Sequence, residues 1–239
     1  MHPCQTCYLR KRPLFTPFDS SDLRFMMEFR SGEVVLQAGE VLYHQGDENE
    51  FIFTAWEGQG ACFHHLPNGD RQLVNFIFPG DVVGLQAALS GTAATTAIAA
   101  SPMVLCRFKK PRLSELFREN HERAYALTWI AAVEQHFLGE TIATLGQRTA
   151  FQRMAWALLK IHTRLDAVGL APEGKAFFPF KQRDLADAMG LSLVHTNKTL
   201  ARLRPFVIWE SDTLQIIDTD GLAKIAMTEH TPPLDRPLL

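Results

Sequence analysis

From Gly32 to about Lys110, short apolar runs (Glu33 to Leu36, Phe51 to Trp56, Leu73 to Phe78 and Met103 to Phe108) alternate with Gly, Pro, Asn and Asp. This is the pattern of short strands separated by turns. Pro67-Asn68-Gly69-Asp70 lies between two such runs, and its Asn-Gly pair tolerates the positive φ of a tight hairpin. A β-barrel or roll is the expected closure.

The period then changes. Asn120 to Leu145 reads as one long helix with two apolar stripes. Thr128, Ala131, Gln135, Leu138, Ile142 and Leu145 recur at alternating steps of three and four, the seam of a coiled coil. Ile130, Val133 and Phe137 form the neighbouring stripe. One stripe is expected to pack on its own subunit and the other on a second copy; a single helix buried within one subunit is the competing reading. Thr149 to Asp166 predicts a further helix, and Gly169 to Gly174 a loop. The expected divisions are 1–118 for an N-terminal segment and roll, 119–146 for a dimerisation helix and 147–239 for a C-terminal domain.

Gln182 to Arg204 reads as two short helices joined at Gly190. Leu185, Met189 and Leu191 face a shared core, and Ala186 is small enough for a close crossing. Gly190 accepts a positive φ, and Ser192 is placed to cap the second helix. At helical spacing Val194, Asn197, Lys198 and Arg202 project to one side with His195 at the edge, while Thr196, Leu200 and Leu203 turn inward. Two β-prone runs follow, Phe206 to Glu210 and Thr213 to Ile217, flanking Ser211-Asp212 as a hairpin, with Phe177 to Phe180 as its third strand. The whole is the layout of a winged helix-turn-helix.

Charge separates this reading from an ordinary helical pair with a solvated face. Lys181, Arg183, Lys198, Arg202 and Arg204 stand against Asp184 and Asp187 in a chain whose net charge is −2. Positive charge is therefore concentrated where phosphate contacts with double-stranded DNA would be made. Val194, His195, Asn197 and Lys198 are the candidate base readers. Lys181, Arg183, Arg202 and Arg204 are the candidate phosphate contacts.

With 239 residues and 46% apolar content, the chain can bury more than one core. No apolar run approaches the roughly 20 residues that span a bilayer, and a polar N-terminus with Arg10, Lys11 and Arg12 lacks the apolar core of an export signal. A cytoplasmic protein with no membrane partner is expected, and its four cysteines are read as reduced thiols or metal ligands.

Taken with Gly39-Glu40, Gln45-Gly46-Asp47 and Pro79-Gly80-Asp81-Val82-Val83-Gly84, the order of elements resembles the CRP/FNR family of bacterial transcription regulators over nearly the whole chain. The resemblance implies an α+β fold: a cyclic-nucleotide-binding-like N-terminal β-roll, a long dimerisation helix and a C-terminal winged helix-turn-helix. It further implies a homodimer on a roughly palindromic operator, one recognition helix per half-site, RNA polymerase as a further partner, a signal sensed by the N-terminal domain, and no enzymatic activity.

Within that family, cyclic-nucleotide binders follow a Gly-Glu-Leu type turn with an Arg-Ser or Arg-Thr pair whose arginine neutralises the phosphate. Here Gly80-Asp81-Val82 stands in the turn, and Gly91 to Ala100 contains Thr95 and Thr96 but no arginine, which argues against a cyclic nucleotide. The FNR branch holds an iron-sulfur cluster on three N-terminal cysteines and one from the roll. Cys4, Cys7 and Cys106 match that pattern, but Pro13 stands where the remaining cysteine is expected, and cubane clusters take four thiolates. His2, an external ligand or Cys62 would have to substitute. A metal centre, a thiol redox switch and plain structural thiols all remain open, as does gating by a small molecule in the roll.

Three further features qualify the resemblance. His64 and His65 alternate across a strand and so cannot readily chelate one metal; with His44 they read as solvated or hydrogen-bonded. Val194, Asn197 and Lys198 replace the family's glutamate, small residue and arginine, so the operator is not expected to be that of CRP or FNR: valine suits a thymine methyl, asparagine an adenine and lysine a guanine or a phosphate. A thiol oxidoreductase built on Cys4 and Cys7 would need a βαβ context that Arg10-Lys11-Arg12 and the following prolines do not supply.

Overall fold

The computed structural model describes residues 2–231 and 233–239. It forms two units, one reaching to Glu134 and including Asp235–Leu239, the other Gln135–Leu234. The last five residues, expected with the C-terminal domain, therefore pack in the N-terminal unit.

In the N-terminal unit, single 3-10 turns at Cys4–Thr6 and Leu9–Lys11 precede α1 (Ser20–Phe29). Asp19 caps α1, its Oδ1 accepting the amides of Ser21 and Asp22 at 2.7 Å. Eight strands follow: β1 (Arg30–Leu36), β2 (Val41–Tyr43), β3 (Phe51–Glu57), β4 (Gly60–His65), β5 (Arg71–Ile77), β6 (Val82–Val83), then α2 (Leu85–Ser90), β7 (Thr96–Ala99) and β8 (Met103–Lys109). They make two antiparallel four-stranded sheets in the orders β1-β8-β3-β6 and β2-β7-β4-β5, the expected roll. The Asn68-Gly69 hairpin forms between β4 and β5, with Gly69 at φ 89°.

Alternating side chains of both sheets fill the roll. Leu36, Phe53, Ala55, Ile77, Val83, Ala97, Met103 and Leu105 form one buried cluster, with Leu42, Tyr43, Phe51 and Cys62 packed against it. A second cluster joins Met26 and Phe29 of α1 to Ile52, Phe108, Leu116 of α3 (Leu113–Glu119) and Leu127 of α4 (His121–Gln147). Leu239 belongs to this second cluster.

The long helix is where its pattern placed it. Along the expected seam Thr128, Ala131, Gln135 and Ile142 are exposed and Leu138 and Leu145 half-buried. Of the neighbouring stripe, Ile130 is buried and Phe137 stacks on Trp156 at 5.8 Å. Val133, expected with them, is exposed.

The C-terminal unit is organised on α5 (Ala150–Ala167), whose Met154, Ala155, Trp156, Leu158, Leu159, Ile161 and Leu165 are all buried. Thr149 and Gln152 form a reciprocal capping box at its start, which satisfies two otherwise unpaired amides. Then come β9 (Lys175–Phe177), α6 (Gln182–Met189), α7 (Leu193–Leu203), β10 (Val207–Glu210), β11 (Thr213–Ile216) and α8 (Thr219–Ala226), the strands ordered β10-β11-β9. The third strand lies earlier than the expected Phe177 to Phe180. Pro179 has no N–H for the ladder, and Phe178 and Phe180 are instead buried, their rings 4.8 Å apart.

Candidate nucleic-acid interface and cysteine cavity

The α6–α7 pair is assembled from local signals. Asp184 accepts the Lys181 amide at 2.9 Å at the start of α6. Gly190 ends that helix at φ 62°, where a side chain would be strained, and the Leu191 amide closes the turn on the Ala186 carbonyl at 3.0 Å. Ser192 Oγ accepts the His195 amide at 3.2 Å, so its hydroxyl starts α7. Leu185, Ala186 and Met189 are buried beneath it.

On α7, Thr196, Thr199 and Leu203 are buried and Leu200 is half-buried, while Val194, His195, Asn197, Lys198 and Arg202 are exposed. One face of the helix thus anchors it and the other presents a methyl-bearing group, an imidazole, an amide and two cations, Lys198 and Arg202. Lys181, Arg183 and Arg204 are exposed as well. The Arg202 guanidinium lies 4.2 Å over the Phe151 ring, a stacking contact that fixes its direction.

The sequence reading missed what surrounds Arg202. Thr149, Ala150, Phe151 and Gln152 at the start of α5 line a groove with His195, Arg202 and Lys224. The positive end of an 18-residue helix and two permanent cations therefore share one opening, an arrangement suited to a phosphate. Lys224 sits on α8, far along the chain from the others.

In the N-terminal unit, Cys4, Cys7 and Cys106 line one cavity of about 40 Å³ with Arg30, Trp56, Leu238 and Leu239. The Cys4–Thr6 turn places the first two thiols, the Cys7 amide reaching the Cys4 carbonyl at 3.3 Å. Cys106 enters from β8, between Glu33 on β1 and Thr54 on β3. Arg30 joins these elements: its Nη1 donates to the His2 carbonyl at 2.6 Å and to Cys4 Sγ at 3.4 Å, and its Nη2 reaches Glu33 at 2.5 Å. Tyr8 donates to the Trp56 carbonyl at 2.8 Å, and the His2 ring stacks on Trp56 at 3.9 Å. Burial pushes the Cys106 thiol up to about 12, against the opposing pull of Arg30.

Cys62 does not join them. It lies on β4 in the other sheet, hydrogen-bonded with Tyr43 and Thr95, and burial pushes its thiol up to about 12. His2 turns to Glu33 and Trp56. The donor set is thus three thiols, one of them already hydrogen-bonded to a guanidinium, around a small cavity lined in part by leucines. This does not fit a four-thiolate cubane. Among the described residues no three His, Cys, Asp or Glu side chains are grouped to hold a single ion. His64 Nδ1 contacts the Ala94 carbonyl at 3.0 Å, and the His65 amide donates to Gln45 at 2.8 Å. The loop before β7 is tied by Gln86, which accepts the Ala94 amide at 2.9 Å and donates to the Thr92 carbonyl at 3.2 Å.

Comparison with known proteins agrees with this arrangement. The cyclic nucleotide-binding domain model matches residues 33–120, and the Crp-like helix-turn-helix domain model matches residues 152–225. Two models in tandem thus account for more than half of the chain, in the order of the two units. The chain belongs to the CRP/FNR family. It is a transcription regulator with a helix-turn-helix DNA-binding domain. It is 27% identical to the nitrogen fixation regulation protein FixK of Bradyrhizobium diazoefficiens over 84% of each chain. It is 26% identical to the transcriptional activator protein FnrL of Cereibacter sphaeroides, over 85% of this chain and 82% of that one. The structure of FixK2 from Bradyrhizobium japonicum shares the fold with a TM-score of 0.74 at 23% identity, covering 83% of this chain and 98% of that one. No helix of the described residues in this CRP/FNR chain is long and apolar enough to cross a membrane.

Proposed function

We propose that this CRP/FNR chain acts as a cytoplasmic homodimer that binds a roughly palindromic operator through α7, inserted in the major groove of each half-site. The observation that carries the reading is the division of α7 into a buried face, Thr196, Thr199 and Leu203, and an exposed one, Val194, His195, Asn197 and Lys198. In this reading those four side chains meet base edges. Lys181, Arg183, Arg202, Arg204 and Lys224 meet phosphates together with the start of α5, which positions the domain without reading sequence. The seam Thr128, Ala131, Gln135, Leu138, Ile142 and Leu145, exposed at all but the half-buried Leu138 and Leu145, joins the two copies, and RNA polymerase is the downstream partner. The protein works by binding, not catalysis.

The cavity of Cys4, Cys7 and Cys106 is the proposed signal input, through thiol chemistry rather than a four-thiolate cluster. A cyclic nucleotide is not the proposed effector, because the loop that would face its phosphate carries Thr95 and Thr96 and is tied by the neutral Gln86.

Repeated selection from a pool of random DNA duplexes tests the DNA reading. Enrichment of an inverted repeat with half-sites about one helical turn apart is expected. No enrichment by a protein whose helices are intact by circular dichroism would overturn it.

A further inference from the structure

The five residues that close the N-terminal unit occupy a built seat. The Arg236 amide donates to the Leu14 carbonyl at 2.8 Å, and its carbonyl accepts the Thr16 amide at 2.9 Å, a short parallel bridge to Phe15. Its guanidinium reaches Asp81 at 3.1 Å and the Gly80 carbonyl at 3.4 Å. Phe15 lies so close to Gly80 that an added Cβ would meet its ring at 2.3 Å, so bridge and turn form one packed surface. Beyond Arg236, the buried Arg123 donates to the Leu238 carbonyl at 3.1 Å, and Thr54 Oγ1 donates to the Leu239 carbonyl at 3.1 Å. Leu238 and Leu239 are buried, and both line the cavity of the three thiols.

We propose that Asp235–Leu239 is a strap that closes the thiol cavity, so that its seating is linked to the chemical state of the three thiols. A group added to a cavity thiol competes for the space of Leu238 and Leu239. By linkage, whatever the adduct does to strap seating, strap seating does to adduct formation.

Thiol alkylation by iodoacetamide tests both directions: a carbon-sulfur bond forms, iodide leaves and the thiol proton passes to buffer. Two variants are compared with the full chain, one ending at Leu234 and one carrying Arg236→Ala. Loss of the strap is expected to speed alkylation of Cys4, Cys7 and Cys106 about ten-fold or more, as for a site that no longer needs local opening. Cys62, in the other sheet, should keep its rate, and Arg236→Ala should give the same pattern at smaller amplitude. In the full chain, alkylation should speed hydrogen exchange at the Arg236 and Thr16 amides. Unchanged rates at the three thiols, or acceleration only in step with Cys62, would overturn the strap by showing the tail to be ordinary core. Unchanged exchange after alkylation would overturn the link. Neither readout involves DNA, so the proposed operator reading stands or falls separately.

Discussion

The Arg123 guanidinium reaches the Asp22 carboxylate at 3.3 Å inside the N-terminal unit, with 6% and 8% of the two side chains exposed. Asn120 donates to the same carboxylate at 3.0 Å, and the guanidinium lies 4.4 Å over the Phe18 ring. The pair fastens α1 to α4 and orients the arginine that holds Leu238. Removing one partner of a buried pair strands the other, so Asp22→Ala should destabilise the N-terminal unit by about 3–5 kcal/mol. Urea denaturation followed by the roll tryptophan Trp56 measures this. A loss well under 1 kcal/mol would mean the pair is solvated.

On the operator found by selection, Asn197→Ala should relax preference at one base position by about 1–3 kcal/mol. Lys198→Ala should weaken binding and, if lysine meets a phosphate, reduce the salt dependence of log K by about one unit. Fluorescence anisotropy across single-base variants and several salt concentrations separates the two. An unchanged preference in Asn197→Ala would assign that residue to support.

Ile142, the fifth of the six positions of the expected seam, is 72% exposed in the single chain. Ile142→Glu should shift the protein toward monomers, because a dimer would bury an unpaired charge. Sedimentation velocity reads this directly; a dimer of unaltered affinity would show that another face makes the contact.

Cys62 carries an alkaline signature. Its buried thiol is raised from 9.0 to about 12, so the folded state holds a proton that the unfolded chain releases. This contribution is intact below pH 9 and is lost as pH climbs from 9 toward 12, by about 1.4 kcal/mol per pH unit. Cys62→Ala should be less stable at neutral pH but lose stability more shallowly above pH 9. Parallel curves for the two proteins in urea titrations from pH 7 to 10.5 would contradict this environment for the thiol.

Local signals make the helix-turn-helix legible in the sequence. Gly190 permits the turn, Ser192 caps α7, and the spacing of Leu185 and Met189 defines a buried face. Each is a property of a few consecutive residues and holds wherever the segment sits. The third wing strand was misplaced because Phe177 to Phe180 is as β-prone as a strand, while Pro179 and the burial of Phe178 and Phe180 ended the ladder at Phe177. Lys224 and the start of α5 were missed because their meeting with His195 and Arg202 leaves no mark in spacing.

The cysteines show the same divide. Cys4 and Cys7 announce each other by a two-residue gap, whereas Cys106 reached them in the sequence reading only through the family resemblance. Cys62 stood only as a conceivable substitute for the missing fourth cysteine, and the strand order puts it in the opposite sheet.

What the sequence determined by itself was periodic or local: strands, the long helix and the turn at Gly190, while the CRP/FNR family came from a resemblance in motifs and order of elements. Tertiary structure alone decided which thiols share a cavity, which cations share a groove, and that Asp235–Leu239 returns to the roll. Periodicity reports which face of an element is apolar. It does not say which distant element covers that face, because this depends on shape complementarity and on hydrogen-bond partners such as Arg123 and Asp81, more than 100 residues away from the tail they hold.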